Sequence, residues 1–282
     1  MTSHLRVRTV TDAYWRVTFD HPPINTITLD TIRDLRCFVD TAETDPEVRV
    51  IVFDSANPDF FLAHYGVGEQ PEDPTPIPDG PTGLDPFLDV YTRISRLPAA
   101  TIVELSGAAR GAGSEFVLAC DMRFASAEHA TLGQFEVGSG LPPGGGALTR
   151  LPQLIGRGRA LEVLLSADDL DAELAERYGY INRAIRAAEL GHFVDDLARR
   201  IASFDKTGLA QAKAFVDQVT LPRNDTFAPQ LDAFRAGIAR PEVQARVAKL
   251  LQMGFNQASD LEHHLGRDIV LTGAPTDTGA PS

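Results

Sequence analysis

Two glycine-rich turns lie close together in the middle of the chain, and each has a glutamate beside it. Both are contained in the stretch from Ser106 to Leu151. The first turn, residues 106–113, is followed by Glu115, and Glu136 precedes the second turn, residues 138–146. Glycine adopts backbone conformations that other residues avoid, so these turns restrict where the neighbouring strands and helices can begin and end.

The residues after the first turn predict the start of a buried helix. Residues 116–119 are all apolar, and residues 111–114, which precede Glu115, are all small. The first backbone N–H groups of a helix have no partner inside it, and small side chains let a ligand oxygen reach them. The sequence therefore predicts an oxyanion site at this helix start.

Glu115 and Glu136 are candidates for acid and base catalysis. Two carboxyl groups beside one polarised carbonyl can divide these roles if burial raises the pKa of one above that of the other. Taken alone, Glu115 is better explained as a carboxylate that interacts with the helix dipole, and Glu136 as a solvent-exposed side chain. The catalytic interpretation depends on the two residues occurring together.

Alternating strand and helix patterns indicate an α/β fold. Residues 14–19 alternate as a half-buried strand, and a helix follows with Asp30 or Thr31 as its predicted cap. The continuous apolar runs at residues 48–53 and 101–105 predict strands that are buried on both faces. Repeated strand, helix, strand order favours a right-handed α/β architecture, and the last third of the chain has a helical pattern throughout.

Composition argues against several classes of partner and site. The net charge of −13 argues against nucleic acid or an anionic membrane surface. The N-terminal residues lack the apolar run of a signal peptide, and no window has the length of a transmembrane helix, so we expect a cytoplasmic protein. Cys37 and Cys120 are predicted to be buried, reduced thiols. No Cys/His cluster is present, and His263 and His264 are adjacent, so we predict no metal site.

The stretch with the two turns resembles the two signatures of a known family, the crotonase (enoyl-CoA hydratase/isomerase) superfamily. The matching residues are Gly107–Glu115, Ala119, Cys120 and Asp121 in the first signature, and Gly133–Glu136, Gly140, Pro143, Gly144, Gly146 and Arg150–Pro152 in the second. Two motifs in this order and spacing are more specific than either alone. A weaker resemblance extends from about Tyr14 to about Ile185.

The resemblance implies an α/β, crotonase-like fold, with a spiral core of repeated ββα units and a helical C-terminal region. We expect the core and its active site in residues 1–200, a helical oligomerisation region in residues 201–270 and a disordered tail in residues 271–282. In this family the helical region supplies subunit contacts. A homotrimer or a dimer of trimers, that is a hexamer, is therefore expected.

The resemblance also implies an enzyme of the hydratase/isomerase type, a lyase that adds water to the double bond of an acyl-CoA thioester or isomerises it, as in fatty acid metabolism. The implied oxyanion donors are the backbone amides of Tyr65 and Ala112. Glu115 would activate the water, and Glu136 would exchange a proton at the α carbon. The implied substrate-binding residues are Ala63, His64, Tyr65, Gly111 and Gly140. Coenzyme A enters as part of the substrate, and no separate cofactor is expected.

The first oxyanion loop departs from the family pattern. His64 stands where glycine is usual, Tyr65 where a small residue is usual, and Gly66 where aspartate is usual. Because large side chains change the acyl pocket, two alternatives stay open: a carbon–carbon bond hydrolase of the same fold that acts on a diketone without CoA, and a non-catalytic relative that binds an acyl group. The proline-rich residues 67–86 predict a loop over the site, either a lid or a surface insertion.

Overall fold

The polypeptide passes back and forth between two sheets. The structure is a computed structural model, and it describes residues 3–273. Ten strands lie within these residues. Their bounds are Leu5–Thr11 (β1), Tyr14–Phe19 (β2), Val50–Ser55 (β3), Phe60–Leu62 (β4), Ala100–Leu105 (β5), Ala108–Arg110 (β6), Met122–Ser126 (β7), Thr131–Gly133 (β8), Asp169–Asp171 (β9) and Arg183–Ile185 (β10).

Twelve α-helices connect and cover these strands in the described part of the chain. They are Leu29–Thr44 (α1), Pro86–Ser95 (α2), Ala112–Ala119 (α3), Ala147–Ile155 (α4), Arg157–Ser166 (α5), Ala172–Tyr178 (α6), Ala187–Ala202 (α7), Lys206–Thr220 (α8), Ala228–Ile238 (α9), Pro241–Gln252 (α10), Asp260–His263 (α11) and Leu265–Asp268 (α12). Short 3-10 helices lie at Glu136–Ser139, Asn224–Thr226 and Ile269–Thr272.

The larger sheet has the strand order β1-β2-β3-β5-β7-β10, and the smaller has the order β4-β6-β8-β9. All pairs are parallel except β1 with β2 and β8 with β9. The units β3-β4-α2, β5-β6-α3 and β7-β8-α4 therefore place their first strand in the larger sheet and their second in the smaller one, whereas β1 and β2, which precede α1, both lie in the larger sheet. This arrangement confirms the expected α/β fold of repeated ββα units.

Strand β3 is buried on both faces, as its apolar run predicts. Ile51 and Phe53 point into the main core between the sheets, whereas Val50 and Val52 pack against helix α7. Full burial of such a side chain contributes about 2 kcal/mol to the free energy of folding. The strand begins two residues later than the run at residues 48–53.

Two local predictions are wrong. Helix α1 is capped by Thr28 rather than by Asp30 or Thr31, because the Thr28 hydroxyl accepts from the amide of Thr31 in a capping box. Cys37 is exposed on that helix, whereas Cys120 is buried, and both are free thiols. The helical spacing of Cys37 was compatible with the edge of the apolar face, where small rotations of the helix decide exposure.

The C-terminal helices pack on the same chain's second glycine-rich turn. Phe234 of α9 lies against Gly144, and Val243 of α10 lies against Gly140. Of the predicted tail, residues 271 and 272 belong to the last 3-10 helix, and residues 274–282 lie outside the described residues. No helix within residues 3–273 is both long enough and apolar enough to cross a membrane.

Candidate active site

Helix α3 begins against the backbone of strand β4. Gly111 caps the helix with φ +49°, a conformation that favours glycine. A Cβ atom at Gly113 would overlap the carbonyl oxygen of Leu62, so only glycine allows this close approach of helix and strand. The first turn of α3 is thereby fixed beside the loop that follows β4.

Glu115 lies in this first helical turn and is buried. Its Oε1 accepts hydrogen bonds from the backbone N–H groups of Gly145, at 2.7 Å, and Ala147, at 3.0 Å. Burial raises the pKa of Glu115 to about 7, although these two donors and the charge of Arg150 oppose the rise. At neutral pH a large fraction of this carboxyl group is therefore ionised.

Glu136 begins the 3-10 helix Glu136–Ser139 and is also buried. A Cβ atom at Gly111 would lie 2.8 Å from its Oε1, so the carboxyl group approaches the start of α3 where Gly111 has no side chain. Its Oε2 has no hydrogen-bond partner among the described residues. Burial raises the pKa of Glu136 well above its usual range, and the negative charge of Glu115 raises it further.

The two carboxyl groups therefore differ in environment, although both are buried at the start of α3. Two backbone donors stabilise the ionised form of Glu115. Nothing in the described part of the chain does so for one oxygen of Glu136. Such a difference separates a carboxyl group that can act as a base from one that holds its proton and can act as an acid.

The backbone N–H groups of Tyr65 and Ala112 both lack an acceptor within residues 3–273. Ala112 is the first residue of α3, and its N–H has no acceptor within residues 3–273. Tyr65 pairs with Ile27 in a single parallel bridge, in which the bonds are made by the His64 carbonyl and the Gly66 N–H. The Tyr65 N–H is therefore left for another acceptor.

The other residues expected at the site are distributed around it. Ala63 is buried, and its carbonyl oxygen accepts from the amide of Arg110, which precedes Gly111. Gly140 has φ +88° and ends the 3-10 helix of Glu136, next to helix α10. The His64 ring contacts Phe135, which lies beside Gly111, so the imidazole is one side chain removed from the start of α3.

The Tyr65 ring lies against helix α2 and is 38% exposed. It meets Phe87 edge to face, with ring centroids 6.3 Å apart. Burial raises the pKa of the Tyr65 phenol, and the nearby Asp85 carboxylate raises it further, while Arg235 lowers it. The ring therefore lies near both Phe87 and the ion pair of Asp85 with Arg235.

Three residues near the glutamates were not predicted as site residues. Phe87 lies next to Gly145, and Tyr91 donates its hydroxyl to the carbonyl of Ala112 at 2.9 Å. Arg150, which belongs to the second signature, is buried over the ring of Phe227. Burial lowers the pKa of Arg150 to about 10.

The sequence indicates the burial of only some of these three residues. Tyr91 belongs to the apolar row of α2 at helical spacing with Leu88 and Ile94, so its burial is visible in the sequence. The burial of Arg150 depends on Phe227, which is distant in sequence, and no local pattern indicates it.

No group of three or more His, Cys, Asp or Glu side chains in residues 3–273 is arranged to hold a metal ion.

Comparisons with known proteins agree with this architecture. The family model described as enoyl-CoA hydratase/isomerase matches residues 10–253. The short-chain-enoyl-CoA hydratase of Clostridium acetobutylicum is 31% identical over 188 residues, which are 66% of this chain and 71% of that protein. A candidate enoyl-CoA hydratase from Streptomyces avermitilis has a crystal structure that superposes with a TM-score of 0.88 at 40% identity, covering 94% of this chain and 96% of that one.

A more distant structure shares the fold. An enoyl-CoA hydratase from Mycobacterium avium subsp. paratuberculosis K-10 superposes with a TM-score of 0.78 at 24% identity, over 92% of this chain and 99% of that one. The family match spans both glycine-rich turns and both glutamates. The chain therefore belongs to the enoyl-CoA hydratase/isomerase family of the crotonase superfamily, and it is an enzyme of the hydratase/isomerase type, as the resemblance implied.

Proposed function

We propose that the protein adds water across the α,β double bond of an enoyl-CoA thioester. The observation that carries this proposal is the unequal environment of two buried glutamates at the start of one helix. Glu115 receives two backbone hydrogen bonds, whereas Oε2 of Glu136 receives none among the described residues. Hydration needs one base for the water and one acid for the α carbon, and the site supplies one of each.

The thioester oxygen binds between the N–H groups of Tyr65 and Ala112. Attack at the β carbon moves negative charge onto this oxygen, and fixed donors stabilise the enolate without having to reorganise. Each donor of this type contributes ~3 kcal/mol to the stabilisation of a transition state. Ala112 adds the dipole of the helix N-terminus.

Glu115 is the base that takes a proton from the attacking water. Its Oε1 is held by Gly145 and Ala147, so Oε2 faces the space that Gly145 leaves open. As the water oxygen bonds to the β carbon, its proton moves to Glu115 and the electrons of the double bond move toward the thioester oxygen. A pKa of about 7 suits a base that works near neutral pH.

Glu136 is the acid that gives a proton to the α carbon. Burial and the neighbouring charge of Glu115 raise the pKa of Glu136 well above its usual range, which favours the protonated form of this carboxyl group. When the enolate collapses, the α carbon takes this proton and Glu136 becomes a carboxylate. The proton that Glu115 has gained then restores Glu136 directly or through solvent, so that atoms and charges balance over one turnover.

Short acyl chains are the expected substrates, and coenzyme A is carried in as part of them. The relative from Clostridium acetobutylicum is named a short-chain-enoyl-CoA hydratase. The rings of Tyr65 and Phe87 also meet beside Gly145, which limits the space near Glu115. His64 and Tyr65 are the two large residues that suggested a diketone hydrolase. The ring of His64 packs against Phe255, so it does not reshape the acyl pocket directly.

Crotonyl-CoA tests the proposal. Wild-type protein should remove the absorbance of the conjugated thioester and form the 3-hydroxyacyl product, while a saturated acyl-CoA of equal length binds without reacting. Conversion of a 3-enoyl-CoA to the conjugated isomer, without hydration, would replace the proposal with an isomerase. Cleavage of a diketone in the absence of CoA would favour the hydrolase.

The cytoplasmic location stays a prediction.

A further inference from the structure

A buried hydrogen bond between two side chains joins the loop of Tyr65 to the C-terminal part of the chain. The Nε2 atom of His64 lies 2.8 Å from Oε1 of Glu262. The His64 and Glu262 side chains are 1% and 0% exposed, and the residues are 198 positions apart in sequence. Glu262 belongs to the short helix α11, which takes no part in the chemistry described above.

The imidazole of His64 is held in one orientation by aromatic rings. It stacks on Phe255 with centroids 3.9 Å apart and planes 5° from parallel. The ring of Phe135, the residue before Glu136, meets the imidazole edge to face, with ring centroids 5.7 Å apart. With a stacked neighbour on its face, the ring can move only if the segment around Phe255 moves with it.

Hydrogen-bond geometry gives His64 two acceptors. Its Nδ1 lies 3.0 Å from the carbonyl oxygen of Tyr65, which can only accept. Oε1 of Glu262 already accepts the backbone N–H of Asn256 at 2.9 Å. The Nδ1 atom therefore carries a hydrogen that it donates to the Tyr65 carbonyl, and Nε2 shares a second hydrogen with Oε1 of Glu262.

These contacts determine the direction of the Tyr65 amide. Three of the four polar groups in the two peptide units around Tyr65 have protein partners. The His64 carbonyl accepts from Ile27, the Gly66 N–H donates to Ile27, and the Tyr65 carbonyl accepts from His64. The remaining group is the Tyr65 N–H, which points away from Ile27 because it is trans to the His64 carbonyl in one planar peptide unit.

A second bond from the C-terminal segment holds the far side of the same loop. The side-chain amide of Asn256 donates to the carbonyl of Val67 at 2.8 Å. Residues 64 and 67 are thus fixed by residues 262 and 256, on either side of Tyr65.

We infer that Glu262 is a positioning residue for the oxyanion donor of Tyr65. Acting through the Nδ1–H of His64, it fixes the Tyr65 carbonyl and so aims the preceding N–H at the thioester oxygen. This inference rests on the role proposed above for the Tyr65 amide. It assigns to the C-terminal segment of residues 253–264 a direct effect on turnover.

Glu262→Gln tests the inference with little change of shape. The new amide oxygen can still accept from Asn256 and from Nε2–H of His64. A neutral imidazole with its hydrogen on Nε2 has none on Nδ1, so the bond to the Tyr65 carbonyl is lost. Asp260→Asn is the matched control, because Asp260 lies on the same short helix and is exposed.

Two readouts are needed, one of them independent of activity. Hydrogen exchange of a peptide covering residues 62–68 should become about tenfold faster in Glu262→Gln, while that of residues 101–105 stays unchanged. With crotonyl-CoA, kcat should fall about 10- to 100-fold with KM within about threefold, because an oxyanion donor acts in the transition state. Asp260→Asn should match wild type in both.

Each outcome decides a separate question. Unchanged exchange in residues 62–68, or faster exchange with an unchanged kcat, would overturn the inference. Wild-type protein that fails to hydrate crotonyl-CoA would instead contradict the proposed function, and the catalytic part of the inference with it.

If Glu262→Gln does not fold, His64→Gln with Glu262→Gln replaces it, because this pair keeps the link to α11 without charge but lacks the bond to Tyr65. A wild-type kcat in that folded double variant would also overturn the inference.

Discussion

The backbone N–H of Gly145 donates to Oε1 of Glu115 at 2.7 Å, and the absence of a side chain at Gly145 leaves room for Oε2 of the same carboxylate. One glycine thus both orients the proposed base and leaves one of its oxygens uncovered. Phe87 closes the other side of this space.

Gly145→Ala should therefore lower kcat by about 100-fold, because the new methyl group overlaps Oε2 of Glu115 and displaces a group that must be placed within a fraction of an ångström. Steady-state kinetics with crotonyl-CoA measures this. The control is Gly158→Ala, since a Cβ at Gly158 meets no atom within 4 Å. Equal kcat values for the two variants would contradict the placement of the water at Oε2.

Glu115→Gln and Glu136→Gln should each reduce turnover by about 10²- to 10⁴-fold while the protein stays folded. Both substitutions are nearly isosteric, and neither leaves a buried charge. Circular dichroism and thermal unfolding check the fold, and hydration of crotonyl-CoA checks the activity. A silent Glu115→Gln together with an inactive Glu136→Gln would favour an isomerase.

The pH dependence of hydration should follow the two glutamates. Because Glu115 must be ionised to act as a base, kcat/KM should rise with pH up to about 7. Because Glu136 must hold a proton, activity should fall again at higher pH, where this carboxyl group ionises. A profile measured from pH 5 to 10 that is flat on the acidic side would contradict the assignment of Glu115.

The free energy of unfolding should also depend on the protonation of Glu115. The pKa is about 7 in the folded chain against an ordinary 4.5, so folding favours the protonated form. This contributes about 3 kcal/mol below the ordinary pKa, and the contribution is lost as the pH rises through about 7. Urea unfolding at pH 4.5 and 8 should show a smaller difference for Glu115→Gln than for wild type. An identical difference in both proteins would contradict the raised pKa.

The expected trimer or dimer of trimers is tested through helix α8. This helix has no buried residue in the single chain, and it exposes Phe215 to 70% and Val219 to 84%. Phe215 and Val219 are four residues apart and so lie on one face of α8, and a contiguous exposed apolar patch marks an interaction surface. Sedimentation at micromolar concentration should show an oligomer that Val219→Glu weakens, whereas a wild-type monomer would contradict the expectation.

The parts of the fold that depend on local pattern were predictable from the sequence. The apolar runs that became β3 and β5 need no knowledge of their neighbours, and the two glycine-rich turns mark the start of α3 and α4. The cap of α1 was misplaced because Thr28 and Thr31 both contribute to one capping box. The sequence alone does not show which of these two threonines is the N-cap.

The unequal environment of the two glutamates could not be predicted. It arises because Gly145 and Ala147, beyond the second turn, donate to Glu115 and not to Glu136. The bond between His64 and Glu262 is likewise a product of the tertiary fold, and the sequence showed His64 only as a departure from the family pattern. Local pattern indicated which residues could form the site, and long-range packing decided the burial and the hydrogen bonds of each one.

The contact of Gly113 with the carbonyl oxygen of Leu62 limits how this enzyme can be altered by evolution or by design. Leu62 lies three residues before Tyr65, and Gly113 directly follows Ala112, so the separation of the two amides is set by backbone touching backbone. No side-chain exchange can adjust that separation gradually, since the smallest added group already collides. New acyl specificities should therefore arise at other positions, and libraries that randomise position 113 should return glycine.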